Sequence, residues 1–242
     1  MRVATWNINS VRLRLPQVLR FIKEKRIDIL CLQETKTEDK FFPSESFEKI
    51  GMKHQYHRGE KSYNGVAILS NFKLEDENFI NWCGKKDTRH ISVKLNKNIE
   101  LHNFYIPAGG DEPDILKNPK FEHKISFLNE MKKYFQKDKK INKILVGDLN
   151  IAPFENDVWS HKQLLNVVSH TPTETDILLD IIETGEWTDV MRELVPHSEK
   201  LYSWWSYRNR NWEISNRGRR LDHFWVSKKI FPRVKSGVIY KD

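Results

Sequence analysis

Asp148 and Asn150 stand one residue apart in Gly147-Asp148-Leu149-Asn150, directly behind the aliphatic run Ile144-Leu145-Val146. Such a run reads as a strand buried on both faces. Its carboxyl end delivers both polar groups to the rim of a sheet, where α/β folds gather their ligands. Asp and Asn also favour turns, and a turn closing the strand would account for the same pair. The arrangement recurs along the chain. Asn7 and Asn9 end the alternating stretch 3–8, Glu34 follows the apolar stretch 28–32, and Tyr105 precedes a Gly/Pro loop at 107–110. Asp222 lies near the start of the strand-like stretch 221–226. Each residue alone fits a solvated strand end. Together they are hard oxygen donors drawn from several strand ends, which suits Mg²⁺, an ion held by few carboxylates that keeps waters for itself and substrate phosphate. The chemistry that fits is metal-assisted phosphodiester hydrolysis.

The composition points to the same substrate class. A formal charge of +8 over 242 residues favours a polyanionic partner, nucleic acid before an anionic membrane, although a Lys-rich chain acquires such a charge without one. Eight tryptophans in a basic protein can stack on bases or fill a sugar pocket. Two cysteines make no disulfide framework, and Cys31, inside an apolar run, reads as a buried free thiol. No Cys/His spacing suggests zinc. The chain begins directly in a strand-like run, and no stretch is long enough to span a bilayer. The default expectation is a cytoplasmic monomer with no membrane partner.

The elements that must carry these residues alternate. A strand at 3–8 leads to an amphipathic helix from Ser10 to about residue 25 and then to the strand at 28–32. A loop with a short helix follows at 41–50. Strands at 53–58 and 65–69 and a hairpin at 91–95 and 99–106 come next. A helix at 121–135 precedes the strand at 144–146, a short helical piece lies near 161–167, and a helix at 174–184 is capped by Gly185. The aromatic run 202–207 reads as a strand, followed by a loop with Arg208, Arg210, Arg217, Arg219 and Arg220. No linker composition interrupts the pattern, so residues 1–242 read as a single mixed α/β domain.

Four ordered motifs carry a family resemblance. They are Thr5-Trp6-Asn7-Ile8-Asn9-Ser10-Val11-Arg12, Leu32-Gln33-Glu34-Thr35-Lys36, Gly147-Asp148-Leu149-Asn150-Ile151-Ala152-Pro153 and Asn216-Arg217-Gly218-Arg219-Arg220-Leu221-Asp222. Through them the chain resembles the exonuclease III-type apurinic/apyrimidinic endonucleases of the DNase I-like fold. The resemblance implies an α+β, four-layer sandwich of two packed, mostly antiparallel sheets flanked by helices. It implies Mg²⁺-dependent (or Mn²⁺-dependent) incision 5′ to abasic sites in duplex DNA, with 3′→5′ exonuclease or 3′-end cleaning activity. Glu34 would be the principal metal ligand with Asn7 beside it. Asp148 would orient or deprotonate the attacking water, Asn150 would hold the phosphate or that water, and both stand in the expected metal set. Tyr105 would donate to phosphate oxygens, and Asp222 would buttress a catalytic histidine. Trp204 and Leu221 match positions lining a pocket for a base-free deoxyribose. Arg219 stands where many relatives carry a bulky aromatic residue. Lys36, Asn64, Arg89 and Arg217 are expected phosphate contacts.

The family's last strand, preceded by Ser-Asp-His, has no counterpart before Asp242, and the expectation is that the protein continues past this residue. His223 should point away from Asp222. His161 and His170 are the candidate replacements for the missing histidine. Two other functions fit the same residues. One is a catalytically impaired DNA-binding member of the fold. The other is a phosphatase acting on a lipid or inositol phosphate, which Trp204 and the arginine-rich loop argue against.

Overall fold

The computed structural model describes residues 1–137, 141–206 and 211–241. In chain order the elements are β1 (Val3–Asn7), α1 (Leu15–Lys25), β2 (Ile29–Gln33), α2 (Ser44–Glu48), β3 (His54–Glu60), β4 (Tyr63–Ser70), β5 (Glu75–Asn78), β6 (His90–Asn96) and β7 (Ile99–Tyr105). There follow α3 (Pro119–Lys137), β8 (Asn142–Asp148), α4 (His161–Leu164), α5 (Pro172–Thr184), β9 (Trp187–Asp189) and α6 (Val190–Leu194). The chain continues through β10 (Trp204–Trp205), α7 (Trp212–Ser215), β11 (Gly218–Arg219) and β12 (Asp222–Ser227). The fold is mixed α/β with two large, mostly antiparallel sheets and flanking helices, as expected. Two compact units divide it, one of residues 1–105 and 143–148, the other of 106–142 and 149–242.

In the first unit one sheet has the order β1-β2-β4-β3, with β1 parallel to β2 and the remaining pairs antiparallel. The second sheet runs β5-β6-β7-β8, and β7 faces β2 and β4. In this unit Leu32, Ala67, Phe104 and Val146 are fully buried, Leu32 and Ala67 in the cluster on the α1 side of the first sheet. Helix α1 covers the outer side of the first sheet with Val18 and Ile22, and Trp6 meets Phe21 edge to face at 5.5 Å. The helix begins at Leu15 rather than just after Ser10. Asn9 and Ser10 adopt positive φ, and the Ser10 and Val11 amides donate to the carbonyls of Glu34 and Thr35. That turn ties the end of β1 to the end of β2 before the helix can start.

Gly147 sets the fit of β8 against β7. Its φ is 141°, and a Cβ there would sit 2.0 Å from the Phe104 carbonyl oxygen, so only glycine lets the backbones approach this closely. Strand β5 was not foreseen, because its Glu-Asp-Glu-Asn sequence is exposed throughout and joins the sheet only by edge pairing with β6.

In the second unit α5 starts with Pro172 and a Thr171/Glu174 capping box and buries Leu178 and Ile181. It packs against α3, and β12 pairs antiparallel with β9. Gly185 caps α5 with φ −81°, outside the left-handed region. Of the expected strand at 202–207, β10 alone forms among the described residues, paired with β11. Tyr207, Arg208 and Arg210 lie outside the described residues, as do residues 138–140. Among the described residues no helix is long and apolar enough to cross a membrane, and both cysteines are free.

Candidate active site

Four strands of the first unit end in the same place. The Asn7 side-chain amide, at the end of β1, donates to Glu34 Oε1 at 2.8 Å and to Asp148 Oδ2 at 2.8 Å. The Tyr105 hydroxyl, at the end of β7, donates to the same Glu34 oxygen at 2.9 Å. Lys36 Nζ lies 2.6 Å from Glu34 Oε2 and donates to Asn9 Oδ1, also at 2.6 Å. The expected residues Asn7, Glu34, Lys36, Tyr105 and Asp148 thus form one hydrogen-bonded cluster.

The backbone makes this possible locally. Glu34 has φ 52° and Lys36 φ 50°, so the chain leaving β2 turns sharply instead of continuing as strand. Thr35 and Lys36 donate to the carbonyls of Gly65 and Asn64. A Cβ on Gly65 would fall 2.1 Å from Thr35 Oγ1, so glycine is needed at that contact.

Electrostatics fix the protonation states. Burial disfavours the Glu34 carboxylate, but the bonds from Asn7, Lys36 and Tyr105 and the Lys36 charge outweigh it and hold its pKa below the ordinary range. Burial, with the carboxylates of Glu34 and Asp148 alongside, drives the Tyr105 pKa upward. Glu34 is therefore an anion and Tyr105 a neutral donor.

Arg89 and Asn64 are committed inside the protein. Arg89 Nε donates to Asp87 Oδ2 at 2.6 Å, Nη1 to the Tyr105 carbonyl at 3.3 Å, and the guanidinium lies 4.9 Å from the Tyr105 ring centre. Asn64 Nδ2 donates to Glu60 and to the Asp87 carbonyl. Both brace the Tyr105 end of β7 and the turn beside Glu34.

Asn150, Trp204, Arg217, Arg219, Leu221 and Asp222 belong to the second unit. Asn150, at φ 54°, donates from Nδ2 to the Ile106 carbonyl at 2.9 Å, and its own carbonyl accepts from Lys124 Nζ at 2.9 Å. Lys124 is buried with Glu174 at 2.5 Å, and Glu174 Oε1 accepts from the Ser169 and Thr171 amides and the Thr171 hydroxyl. With Lys124 Nζ also donating to the Ala108 carbonyl at 3.2 Å, this buried pair ties together three loops, including the one carrying Asn150. Sequence reasoning missed it, since a lysine in a helix reads as solvated.

Trp204, Arg217 and Arg219 share a cleft of about 490 Å³ with Trp159, Leu164 and Trp212. The Arg217 guanidinium lies 4.6 Å from the Trp159 ring centre, and Arg219 lies 5.9 Å from that of Trp204. Arg219 Nη1 also donates to Ser169 Oγ at 2.7 Å. Leu221 is buried beside this cleft's strand rather than in its lining. Arg220 is fully buried between Asp157 and Asp189.

Asp222 accepts from Ser203 Oγ at 2.8 Å, and burial pushes its carboxyl up to about 6 against that bond and one from its own amide. Among the described residues no histidine bonds to it. His223 faces Arg220 and the Ile151 carbonyl, and burial together with the Arg220 charge pushes it down to about 3. His161 and His170 bond to each other at 2.8 Å, with His170 Nδ1 on the Ala152 carbonyl.

The donor set fits a hard divalent cation. Among the described residues no group of three or more Asp, Glu, His or Cys side chains forms a cage. Two carboxylates, Glu34 and Asp148, are instead bridged by one amide. Few carboxylates with room for water is the pattern Mg²⁺ prefers.

A family model described as the endonuclease/exonuclease/phosphatase family matches residues 4–241. Exodeoxyribonuclease III of Haemophilus influenzae is 31% identical over 96% of this chain and 90% of its own length. The solved structure of an AP endonuclease from Archaeoglobus fulgidus superposes with a TM-score of 0.88 at 33% identity, covering 96% of this chain and 89% of that one. A 3′ phosphatase from Neisseria, solved bound to a product DNA hairpin, also gives 0.88 at 28% identity, covering 98% and 90%.

Proposed function

Because the chain belongs to the endonuclease/exonuclease/phosphatase family, among its exodeoxyribonuclease III-type DNA repair nucleases, we propose that it cuts duplex DNA 5′ to abasic sites and trims blocked 3′ ends. The observation that carries this reading is the Asn7 amide bridging Glu34 and Asp148, with the Tyr105 phenol on the same Glu34 oxygen. That cluster offers an anion, a second carboxylate and a neutral donor within one hydrogen-bonded network, a set able to bind a phosphodiester and a water together.

Glu34 and Asn7 would hold Mg²⁺, with Mn²⁺ as an alternative, and Asp148 would share that task. When bound, the ion supplies Lewis-acid polarisation of a phosphoryl oxygen. Asp148, held by Asn7, orients the attacking water and takes its proton. Tyr105 stays protonated and donates to the phosphate oxygens as charge builds on them. Asn150, its backbone fixed by Lys124, contributes its amide to the phosphate or the water. Trp204, Arg217 and Arg219 would contact the DNA through their cleft, with Lys36 at its phosphates, and Leu221 would support the strand carrying Asp222. Asp222 would orient a catalytic imidazole. The reading includes a cytoplasmic monomer without a membrane partner.

The test is a duplex with one tetrahydrofuran abasic analogue, with Mg²⁺ or with EDTA, beside a duplex ending in a 3′ phosphate. Metal-dependent incision at the analogue is the expected result, and its absence overturns the reading. Salt-sensitive duplex binding without any incision would identify a non-catalytic DNA-binding protein. Phosphate release from an inositol phosphate instead of DNA would identify a phosphatase.

A further inference from the structure

One layer behind the cluster, two fully buried amides join the two sheets of the first unit. Gln33 Nε2 donates to Asn103 Oδ1 at 2.6 Å and to Thr5 Oγ1 at 3.0 Å. Asn103 Nδ2 donates to the carbonyls of Leu32 at 3.0 Å and Ala67 at 2.9 Å. Both side chains are 0% exposed. Both Asn103 donor hydrogens and its carbonyl oxygen are engaged, so only one orientation of this amide satisfies the site.

Sequence position gives the pair its meaning. Gln33 immediately precedes Glu34. Thr5 lies two residues before Asn7 on β1, and Asn103 two residues before Tyr105 on β7, so each shares a strand face with its catalytic candidate. The bond from Tyr105 to Glu34 and the bond from Gln33 to Asn103 both join the β7 sheet to the β2 sheet.

Packing alone does not require amides here. Among the described residues Gln33 Oε1 has no hydrogen-bond partner, so the pair carries an uncompensated polar atom that an apolar pair of equal volume would avoid. Apolar contacts are non-directional and tolerate slip between sheets, whereas a buried hydrogen-bonded pair selects one arrangement. We propose that Gln33 and Asn103 are positioning residues that set the register of the two sheets, and thereby the alignment of the Tyr105 phenol with Glu34. The proposal rests on the nuclease reading above for its kinetic test, and has a spectroscopic test that does not.

In the kinetic test, N103L and Q33M are assayed on abasic duplex, with rates scaled to the folded fraction from circular dichroism. Misalignment predicts a fall in kcat on the order of 10- to 100-fold with KM within about threefold. In a Y105F background N103L should cost less than about threefold, because the contact it aligns is already gone. The exchange variant Q33N/N103Q, which keeps both amides and their combined length, should recover part of the lost rate and covers the case in which N103L does not fold. An unchanged kcat per folded molecule, or full multiplication of the N103L and Y105F losses, overturns the proposal.

In the spectroscopic test, the ring-carbon NMR signal of labelled tyrosine, assigned to Tyr105 through Y105F, should move in N103L and Q33M. A stationary signal in folded variants also overturns the proposal. A wild-type protein that cuts no DNA defeats the nuclease reading alone, and the NMR result then decides the positioning question.

Discussion

Tyr105 and Glu34 are joined across two sheets: the phenol at the end of β7 donates to a carboxylate oxygen just beyond β2 at 2.9 Å. The phenol keeps its proton and the carboxylate its charge, since the phenol pKa is raised and the carboxylate's is lowered. The bond therefore presents an ionised acceptor and a protonated donor side by side. Replacing Tyr105 by Phe removes that donor and nothing larger. Turnover on abasic duplex should fall by about 10²- to 10³-fold, the usual cost of one transition-state donor. Duplex affinity, measured by fluorescence anisotropy, should change by less than about threefold.

Glu34→Gln and Asp148→Asn test the carboxylates bridged by Asn7. Each should reduce kcat far more than it weakens DNA binding, and Glu34→Gln should also raise the Mg²⁺ concentration needed for half-maximal rate. Titration of metal at saturating duplex measures both effects. Parallel losses of affinity and turnover would count against catalytic roles for either residue.

The Asp222 carboxyl, at about 6, binds its proton more tightly folded than it would unfolded, near the ordinary 3.8. Between these values the unfolded chain has released the proton and the folded one has not, so stability falls as pH rises through the window. Asp222→Asn lacks this dependence. From pH 4 to pH 7 the wild type should lose about 1–3 kcal/mol of unfolding free energy relative to the variant, allowing for partial solvent screening. Urea denaturation at both pH values reads the difference.

Lys124 and Glu174 have no exposed side-chain surface, and together they hold the loops around Asn150. Lys124→Met strands a buried carboxylate. The predicted loss is about 3–5 kcal/mol by urea denaturation, because the uncompensated charge costs more than the lost attraction alone.

Much of the candidate site was legible in the chain. Glu34 and Asp148 each follow an apolar run, and burial of such a run leaves the next residue at a sheet rim whatever the rest of the fold does. Lys124, Gln33 and Asn103 were not legible as partners. Each has a common polar side chain in a regular element, and the side chain it pairs with lies far away in the sequence. Strand β5 escaped for another reason, as it buries no side chains and has no hydrophobic period to read.

The sequence by itself determined most of the elements, the polar residues at their ends and the motif order that marks the family. Those depend on local periodicity and on residue types a few positions apart. Only the tertiary structure decided that Asn7 bridges two carboxylates, that Arg89 braces Tyr105 from within, and that Arg219 turns toward Trp204. Hydrogen bonds and ion pairs act over about 3 Å. Which of the chain's many polar groups come that close is set by how the sheets stack, which no local pattern encodes.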